Sequence, residues 1–325
     1  MSDTPYSVLD IETRRYLDLQ DAPVHIRERL SITLTPRAYE PELDDLRRDW
    51  VASVAVPAFK LIRQRQETVH AFCAIGTGTG LDVLAATEIL GASHLGLTDI
   101  HADVVHAARL NILSNLNAAH PVRLDTGYGD LLAPLARYPA TRYDLIYENL
   151  PNVPLDDASL IAQARTSGAH FQPRSESVPD DIQRQLLSLH FLALRQAHLH
   201  LTEDGSVLSM LGARIPLAAY RHMAQQAGHH AEIHTYGWKL QDEAEDVIRG
   251  HAARQQAGYG PFHFYDPEAL DHAFGQAGPA IAGEQAEAIE AQLEPHRLDP
   301  FQALTALQQG AAIGHTYVAL RSRPR

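Results

Sequence analysis

Only one cysteine, Cys73, occurs in the 325 residues, so no intramolecular disulfide can form and a disulfide-stapled secreted scaffold is excluded. No continuous apolar run approaches the ~18 residues of a membrane span, and the opening MSDTPYSVLDIETRRYLDLQ has no apolar signal core. A cytoplasmic location is therefore expected, with no membrane partner. Basic charge is also scarce: 27 Lys and Arg face 40 Asp and Glu, a formal net charge of −13. Arg14–Arg15 and Arg47–Arg48 are short and flanked by acids, so no basic face is foreseen and nucleic acid is not expected as a partner.

Several chemical signatures are missing too. There is no Gly-x-Ser-x-Gly elbow, no Walker loop and no zinc-type cysteine pair. The 19 histidines form no ligand set at convincing spacing: His101 with Asp103, His198 with His200, and His229–His230 each lack a third partner, so no metal is expected. His170 and His190 remain as lesser proton acceptors. Cys73 lies in an apolar run before a glycine loop and reads as a packed strand thiol.

What the sequence does contain is an alternation of β-rich and helical stretches from Thr68 onward, the grammar of a mostly parallel α/β sheet. Strands are predicted at Val69–Ile75, His94–Thr98, Val122–Thr126, Tyr143–Glu148, Ser206–Leu211, Ala231–Trp238 and His315–Leu320. Helices are predicted at Leu81–Leu90, Asp103–Asn115, Gln183–His200 and Leu217–Gln226, the third stopped by the turn signal Glu203–Asp204–Gly205. Residues 1–66, with a helical pattern over Pro41–Gln64 and a β-like run Ser31–Thr35, read as an accessory, substrate-capping region. Residues 67–325 read as the main domain, carrying an insertion or lid at about 241–310.

Four segments carry chemistry. Gly76-Thr77-Gly78-Thr79-Gly80 joins the first strand to its helix, and glycine suits a sharp turn that must approach a ligand closely. A G-x-G-x-G spacing differs from the G-x-G-x-x-G of dinucleotide sites. Asp99, followed by Ile100, ends the next strand about 20 residues later, where a carboxylate accepts from ribose hydroxyls; helix capping suits Asp103 better. Gly129-Asp130-Leu131 follows the third strand, placing an acid for an adenine amino group, with Tyr128 or Leu131 over the ring. Tyr147-Glu148-Asn149-Leu150-Pro151-Asn152-Val153-Pro154 ends the fourth strand in a proline-stiffened loop. There, the Asn149 carbonyl can accept N–H from a substrate nitrogen.

In this order, residues from about 68 to 215 resemble class I S-adenosylmethionine-dependent methyltransferases. The loop Asn149–Pro154 is similar to the Asn-Pro-Pro-Tyr loop of the protein-glutamine N-methyltransferases that modify release factors. The resemblance implies a Rossmann-like α/β core with helices on both faces, with an N-terminal accessory region and a C-terminal insertion, and S-adenosyl-L-methionine as cofactor. By it, Gly76, Gly78 and Gly80 line the methionine part of the cofactor, Asp99 the ribose, Asp130 the adenine, and Asn149 the substrate nitrogen. Thr77, Ile100, Gly129 and Leu131 complete the cofactor set, and Pro151, Asn152 and Tyr39 the substrate set; Glu148 and Tyr147 are the proton-handling candidates beside Asn149. Two departures stand out: Ala74 replaces an acid that holds the cofactor's amino group, and Leu150 and Asn152 replace a proline and an aromatic.

The reading is a methyltransferase acting on a nitrogen of a small, amino-acid-derived molecule. The partners expected are that small-molecule substrate and, at most, a second copy of the chain as a homodimer. Two rivals use the same cofactor site. One is a cyclase resembling azetidine-2-carboxylate synthases, which closes a ring within the cofactor and releases methylthioadenosine; the other is a non-catalytic adenosyl-binding protein.

Overall fold

Strand pairing sets the architecture of the computed structural model, which describes residues 7–153 and 176–325. The strands are β1 (Ser7–Glu12), β2 (Arg29–Leu34), β3 (Ala71–Ile75), β4 (His94–Asp99), β5 (Arg123–Tyr128), β6 (Tyr143–Glu148), β7 (Leu201–Ala213), β8 (His229–Leu240) and β9 (Gly314–Pro324). Seven of them form one sheet in the order β5-β4-β3-β6-β7-β9-β8. The β3–β4, β4–β5 and β3–β6 pairs are parallel, whereas β8 and β9 are antiparallel. Mostly parallel and flanked by helices, the sheet is Rossmann-like. From β3 the chain steps outward to β4 and β5, then returns to β3's other side as β6, so the order reverses between β3 and β6. That reversal is where open α/β sheets bind ligands, at the strands' carboxyl ends.

The described residues divide into two compact units, the first made of 7–149 and 196–208 and the second of 150–153, 176–195 and 209–325. In the first unit, β3 is buried at every position, as expected of a central parallel strand. Helix α3 (Leu81–Leu90) is also buried along most of its length, and α4 (Ala102–Asn115) buries Val104, Ala108 and Ile112. The hairpin β1–β2, whose connection includes the short helix α1 (Thr13–Tyr16), is antiparallel, and its open edge is taken up by side chains of α4. Asn115 accepts from Ser31 N–H (2.8 Å) and donates to Ser31 O (2.9 Å); Asn111 does the same for Thr33 (2.9 and 3.0 Å). The match is geometric, since one helical turn rises ~5.4 Å and two strand residues ~6.7 Å. Glu88 of α3 fixes the preceding segment by accepting from Val24, His25 and Ile26 N–H at 2.8, 2.8 and 3.1 Å.

Several boundaries differ from expectation. The helix predicted from Pro41 begins only near Val51, with a wide turn Val51–Ala55 leading into α2 (Val56–Gln64). Asp49 explains the late start, since its carboxylate accepts from Ala52 N–H (2.8 Å) and from the Tyr16 hydroxyl (2.9 Å) and so caps the chain there. The helix predicted over Gln183–His200 is two pieces, Asp180–Arg184 and Ser188–Ala197, broken where Leu186 takes φ +61°. Glu203–Asp204–Gly205 does not end an element but lies inside β7; a Cβ on Gly205 would sit 2.8 Å from the Tyr143 carbonyl, so glycine alone lets the strands meet. Asp103 does not cap α4, because the helix already begins at Ala102 and Asp103 lies inside its first turn, where its carboxylate pairs with Arg37 at 2.5 Å.

In the second unit, five helices (Ala244–Gln256, Pro267–Phe274, Pro279–Glu284, Ala286–Leu293 and Pro300–Gln308) lie in sequence between β8 and β9. Ile248, Phe264, Ala303 and Ile313 form a buried cluster among them. Among the described residues no helix is long and apolar enough to cross a membrane.

Candidate functional site

The glycine loop leaves β3 with three residues in the left-handed region: Gly76 at φ +69°, Gly78 at +49° and Gly80 at +82°. At Gly80 the requirement is double, because a Cβ would also meet Ile112 Cδ1 of α4 at 3.2 Å. The loop is held by Thr77 N–H donating to Thr98 O (2.9 Å), Gly80 N–H donating to Thr77 O (2.8 Å) and Asn111 Nδ2 donating to Thr79 O (3.0 Å). A Cβ on Gly78 would meet nothing within 4 Å, so this face of the loop borders open space. The Thr77 hydroxyl is buried and has no hydrogen-bond partner among the described residues.

Asp99 ends β4 beside this loop. Its Oδ1 accepts from His101 N–H (3.0 Å) and its Oδ2 from Gly78 N–H (3.4 Å). A carboxylate offers about four acceptor positions, so two remain for a ligand. Burial raises its pKa above the ordinary carboxylate value, against the lowering effect of those two N–H donors. The Asp99 carbonyl accepts from Gly129 N–H (2.8 Å), which ties the end of β4 to the Gly129-Asp130-Leu131 turn. Asp130 Oδ2 accepts a long bond from Gln196 Nε2 (3.4 Å), and Gln196 Oε1 accepts from Leu132 N–H (2.9 Å). Leu131 is buried at φ +46°, whereas Tyr128 and Ile100 are exposed.

The residues at the end of β6 have different surroundings. Tyr147 is enclosed by Phe59 and Phe72, with ring centroids 5.5 and 6.0 Å away, and burial holds its hydroxyl protonated far above neutral pH. Glu148 is fully buried and lies opposite Ile75 in the β3–β6 register, one residue before the glycine loop. Asn149 is half-buried, and its side-chain amide has no hydrogen-bond partner among the described residues. Tyr39 is half-buried in the segment that Arg37 anchors to Asp103 and, through Nη1, to His101 Nδ1 (3.3 Å). Pro151 and Asn152 belong to the second unit, where Asn152 Nδ2 donates to Gly212 O at 2.8 Å. Pro154 and His170 lie outside the described residues. His190 is fully buried in the helix Ser188–Ala197.

Sequence reasoning passed over Asp82, in the first turn of α3. Its Oδ1 accepts from Val83 N–H (2.8 Å), and it forms no ion pair among the described residues. Burial, reinforced by the charge of Asp99, pushes its pKa up to about 7. The signal was an acid in the otherwise apolar run Leu81–Ala86. Ala74 and Cys73 are fully buried, and burial raises the Cys73 thiol well above its ordinary value.

No family model and no curated protein matches the chain. Among solved structures, it is similar to a ribosomal protein L11 methylase from Lactobacillus delbrueckii subsp. bulgaricus, at 18% identity over 56% of this chain and 68% of that one, with a TM-score of 0.36. It is also similar to a methyltransferase-like protein from Bacillus halodurans (12% identity, 82% and 99% covered, TM-score 0.39). A third is the [4+2]-cyclase SpnF (14% identity, 88% and 86% covered, TM-score 0.40). None of these similarities bears on substrate or reaction. By its own strand order, with the glycine loop at the reversal point, the chain has the Rossmann-like fold expected of the class I methyltransferases.

Proposed function

We propose that the protein is an S-adenosylmethionine-dependent methyltransferase acting on a nitrogen of a small, amino-acid-derived molecule. The observation that carries this reading is the Asn149 amide, which stands at the carboxyl end of β6, next to the strand that feeds the glycine loop, with no partner among the described residues. Without a partner there, the amide can meet a ligand without first breaking a hydrogen bond.

The residues fit the cofactor on three grounds. The Thr77 hydroxyl is buried without a partner, Gly78 borders open space, and Asp99 keeps acceptor positions for a ribose. Gly76, Thr77, Gly78 and Gly80 would hold the methionine part, with Asp99 at the ribose and Asp130, Leu131 and Ile100 at the adenine. A net charge of −13 favours a sulfonium cation over a polyphosphate. Asp82, a buried carboxyl without an ion pair among the described residues, offers a counter-charge for an ammonium group at this end of α3.

When bound, the cofactor supplies an electrophilic methyl group, so what the chain must add is alignment and exclusion of water. The Asn149 carbonyl accepts an N–H of the substrate and fixes its lone pair. Tyr147 cannot take up a proton near neutral pH, because its hydroxyl already holds one there. Glu148 is the proton-handling candidate that remains beside Asn149.

The deciding experiment incubates the pure protein with S-adenosylmethionine, alone and with a mixture of amino acids and their amides, and follows products by mass spectrometry. S-adenosylhomocysteine that appears only with an acceptor, together with an N-methylated product, supports the reading. Methylthioadenosine released from the cofactor alone would replace it with the cyclase.

A further inference from the structure

Arg214 directly follows β7, at its carboxyl end, and is only 5% exposed. Its Nε and Nη2 both donate to one neutral acceptor, Gln241 Oε1, at 3.1 and 2.6 Å. The Phe264 ring lies 5.9 Å from its Cζ. Among the described residues no carboxylate forms a salt bridge with it; Asp242 acts on it only at a distance. Burial pulls its pKa down to about 10. This is not a shortage of acids, for the chain carries 40 of them against 27 Lys and Arg.

The neighbouring histidines add no further positive charge. His251 and His263 are pushed down to about 3, and His315 well below its ordinary value, chiefly by burial, so all three are neutral near pH 7. A guanidinium has five N–H donors in a planar fork, and the Gln241 contacts use one edge of it. The Nη1 side faces Gly212, where a Cβ would lie 2.3 Å from Nη1, so the missing side chain makes room for that nitrogen. Gly212 O in turn accepts from Asn152 Nδ2 (2.8 Å) and from the Tyr220 hydroxyl (3.2 Å), which ties the loop following β6 to this strand end. Ligands of open α/β sheets bind at such carboxyl ends, and burying an unpaired charge is strongly unfavourable until an anion arrives.

We propose that Arg214 binds the carboxylate of a small organic acid, through the edge of its guanidinium that Gln241 leaves free. A two-oxygen anion of single charge matches one free edge of the fork. A phosphate would bring a second negative charge into a strongly acidic chain with one guanidinium to meet it.

The test uses the full chain and its Arg214→Gln and Arg214→Lys variants, with thermal unfolding and calorimetry. The probes are the free L-amino acids, the matching L-amino acid amides and inorganic phosphate, each with and without S-adenosylhomocysteine. At least one free amino acid should bind the wild type tenfold or more tightly than its amide. Arg214→Gln should abolish that preference and Arg214→Lys weaken it. Unliganded Arg214→Gln should melt no lower than the wild type, whereas a purely structural arginine would lower the melting temperature on removal. If neither variant folds, the acid-against-amide comparison on the wild type decides alone. Equal binding of acid and amide, no binding of any acid, a retained preference in Arg214→Gln, or stronger stabilisation by phosphate would each overturn the proposal. Weaker S-adenosylhomocysteine binding in Arg214→Gln, with methylthioadenosine binding unchanged, would give the arginine to the cofactor's carboxylate and overturn its assignment to a separate acid. Loss of all cofactor binding beside intact amino acid binding would remove the methyltransferase reading and leave Arg214's role standing.

Discussion

Asn111 and Thr33 exchange hydrogen bonds in both directions, 2.9 Å from Thr33 N–H to Asn111 Oδ1 and 3.0 Å from Asn111 Nδ2 to Thr33 O. The same Nδ2 donates to Thr79 O in the glycine loop (3.0 Å). One buried amide therefore couples the N-terminal hairpin to the loop expected to meet the cofactor. Asn111→Leu strands three backbone groups and should destabilise the fold by about 2–4 kcal/mol. Denaturant unfolding measures this, and S-adenosylhomocysteine affinity should fall with it. A stability within ~0.5 kcal/mol of wild type would mean that water replaces the amide without loss.

Asp99→Ala should weaken S-adenosylhomocysteine binding at least tenfold, because two charge-assisted hydrogen bonds at ~1.5–3 kcal/mol each are lost and only partly replaced by water. The raised pKa of Asp99 adds a pH signature. Ribose hydroxyls donate to the charged form, so affinity should decline on acidification at a higher pH than for an exposed aspartate. Calorimetry from pH 8 downward tests both expectations.

Asn149→Ala should leave the melting temperature within a degree or two, since the amide has no protein partner among the described residues. Affinity for S-adenosylhomocysteine should stay within about threefold while kcat falls by roughly 10²-fold, the scale of lost positioning. Asn149→Asp keeps an acceptor, and partial activity there would isolate acceptance from the substrate as the useful contact. A stable Asn149→Ala enzyme with near-normal single-turnover rates would reduce the loop to scaffolding.

Asp82 gives a pH dependence of definite sign. Its folded pKa, about 7, lies above the model-compound value of 3.8. Between those values the folded state binds more protons than the unfolded one, so this group's contribution lowers stability as pH rises from about 4 to about 7. Asp82→Asn keeps an acceptor for Val83 N–H and removes the charge. The variant should be more stable than wild type at pH 8, by at most about 4 kcal/mol, with the gain vanishing toward pH 4. A gain independent of pH would mean that Asp82 is not protonated in the fold.

The centre of the sheet was legible because β3, β4 and β6 are short, mostly apolar runs, and because Gly76–Gly80 and Asp99 sit where a strand must end. Helix Leu81–Leu90 and strand Tyr143–Glu148 match their expected bounds. The misplaced start of the helix before Gln64 has a tertiary cause: Asp49 is recruited by Tyr16, 33 residues away in sequence. Asn111 and Asn115 went unremarked because their importance depends on a strand about 80 residues upstream that periodicity in the helix does not reveal. Arg214 reads in sequence as an ordinary charged residue after a strand. Its isolation from acids is a property of the fold alone.

β9 is the last described strand, yet it lies between β7 and β8, and among the described residues β8 has no other neighbour in the sheet. During synthesis, β8 must therefore wait for residues 241–313 and then β9 itself before any backbone partner exists. At ~5–20 residues per second this leaves an unpaired strand exposed for on the order of 10 s. Over that interval β8 is open to mispairing with another nascent chain. Yield from cells should accordingly respond to chaperone supply and growth temperature more than the stability of the finished fold would suggest.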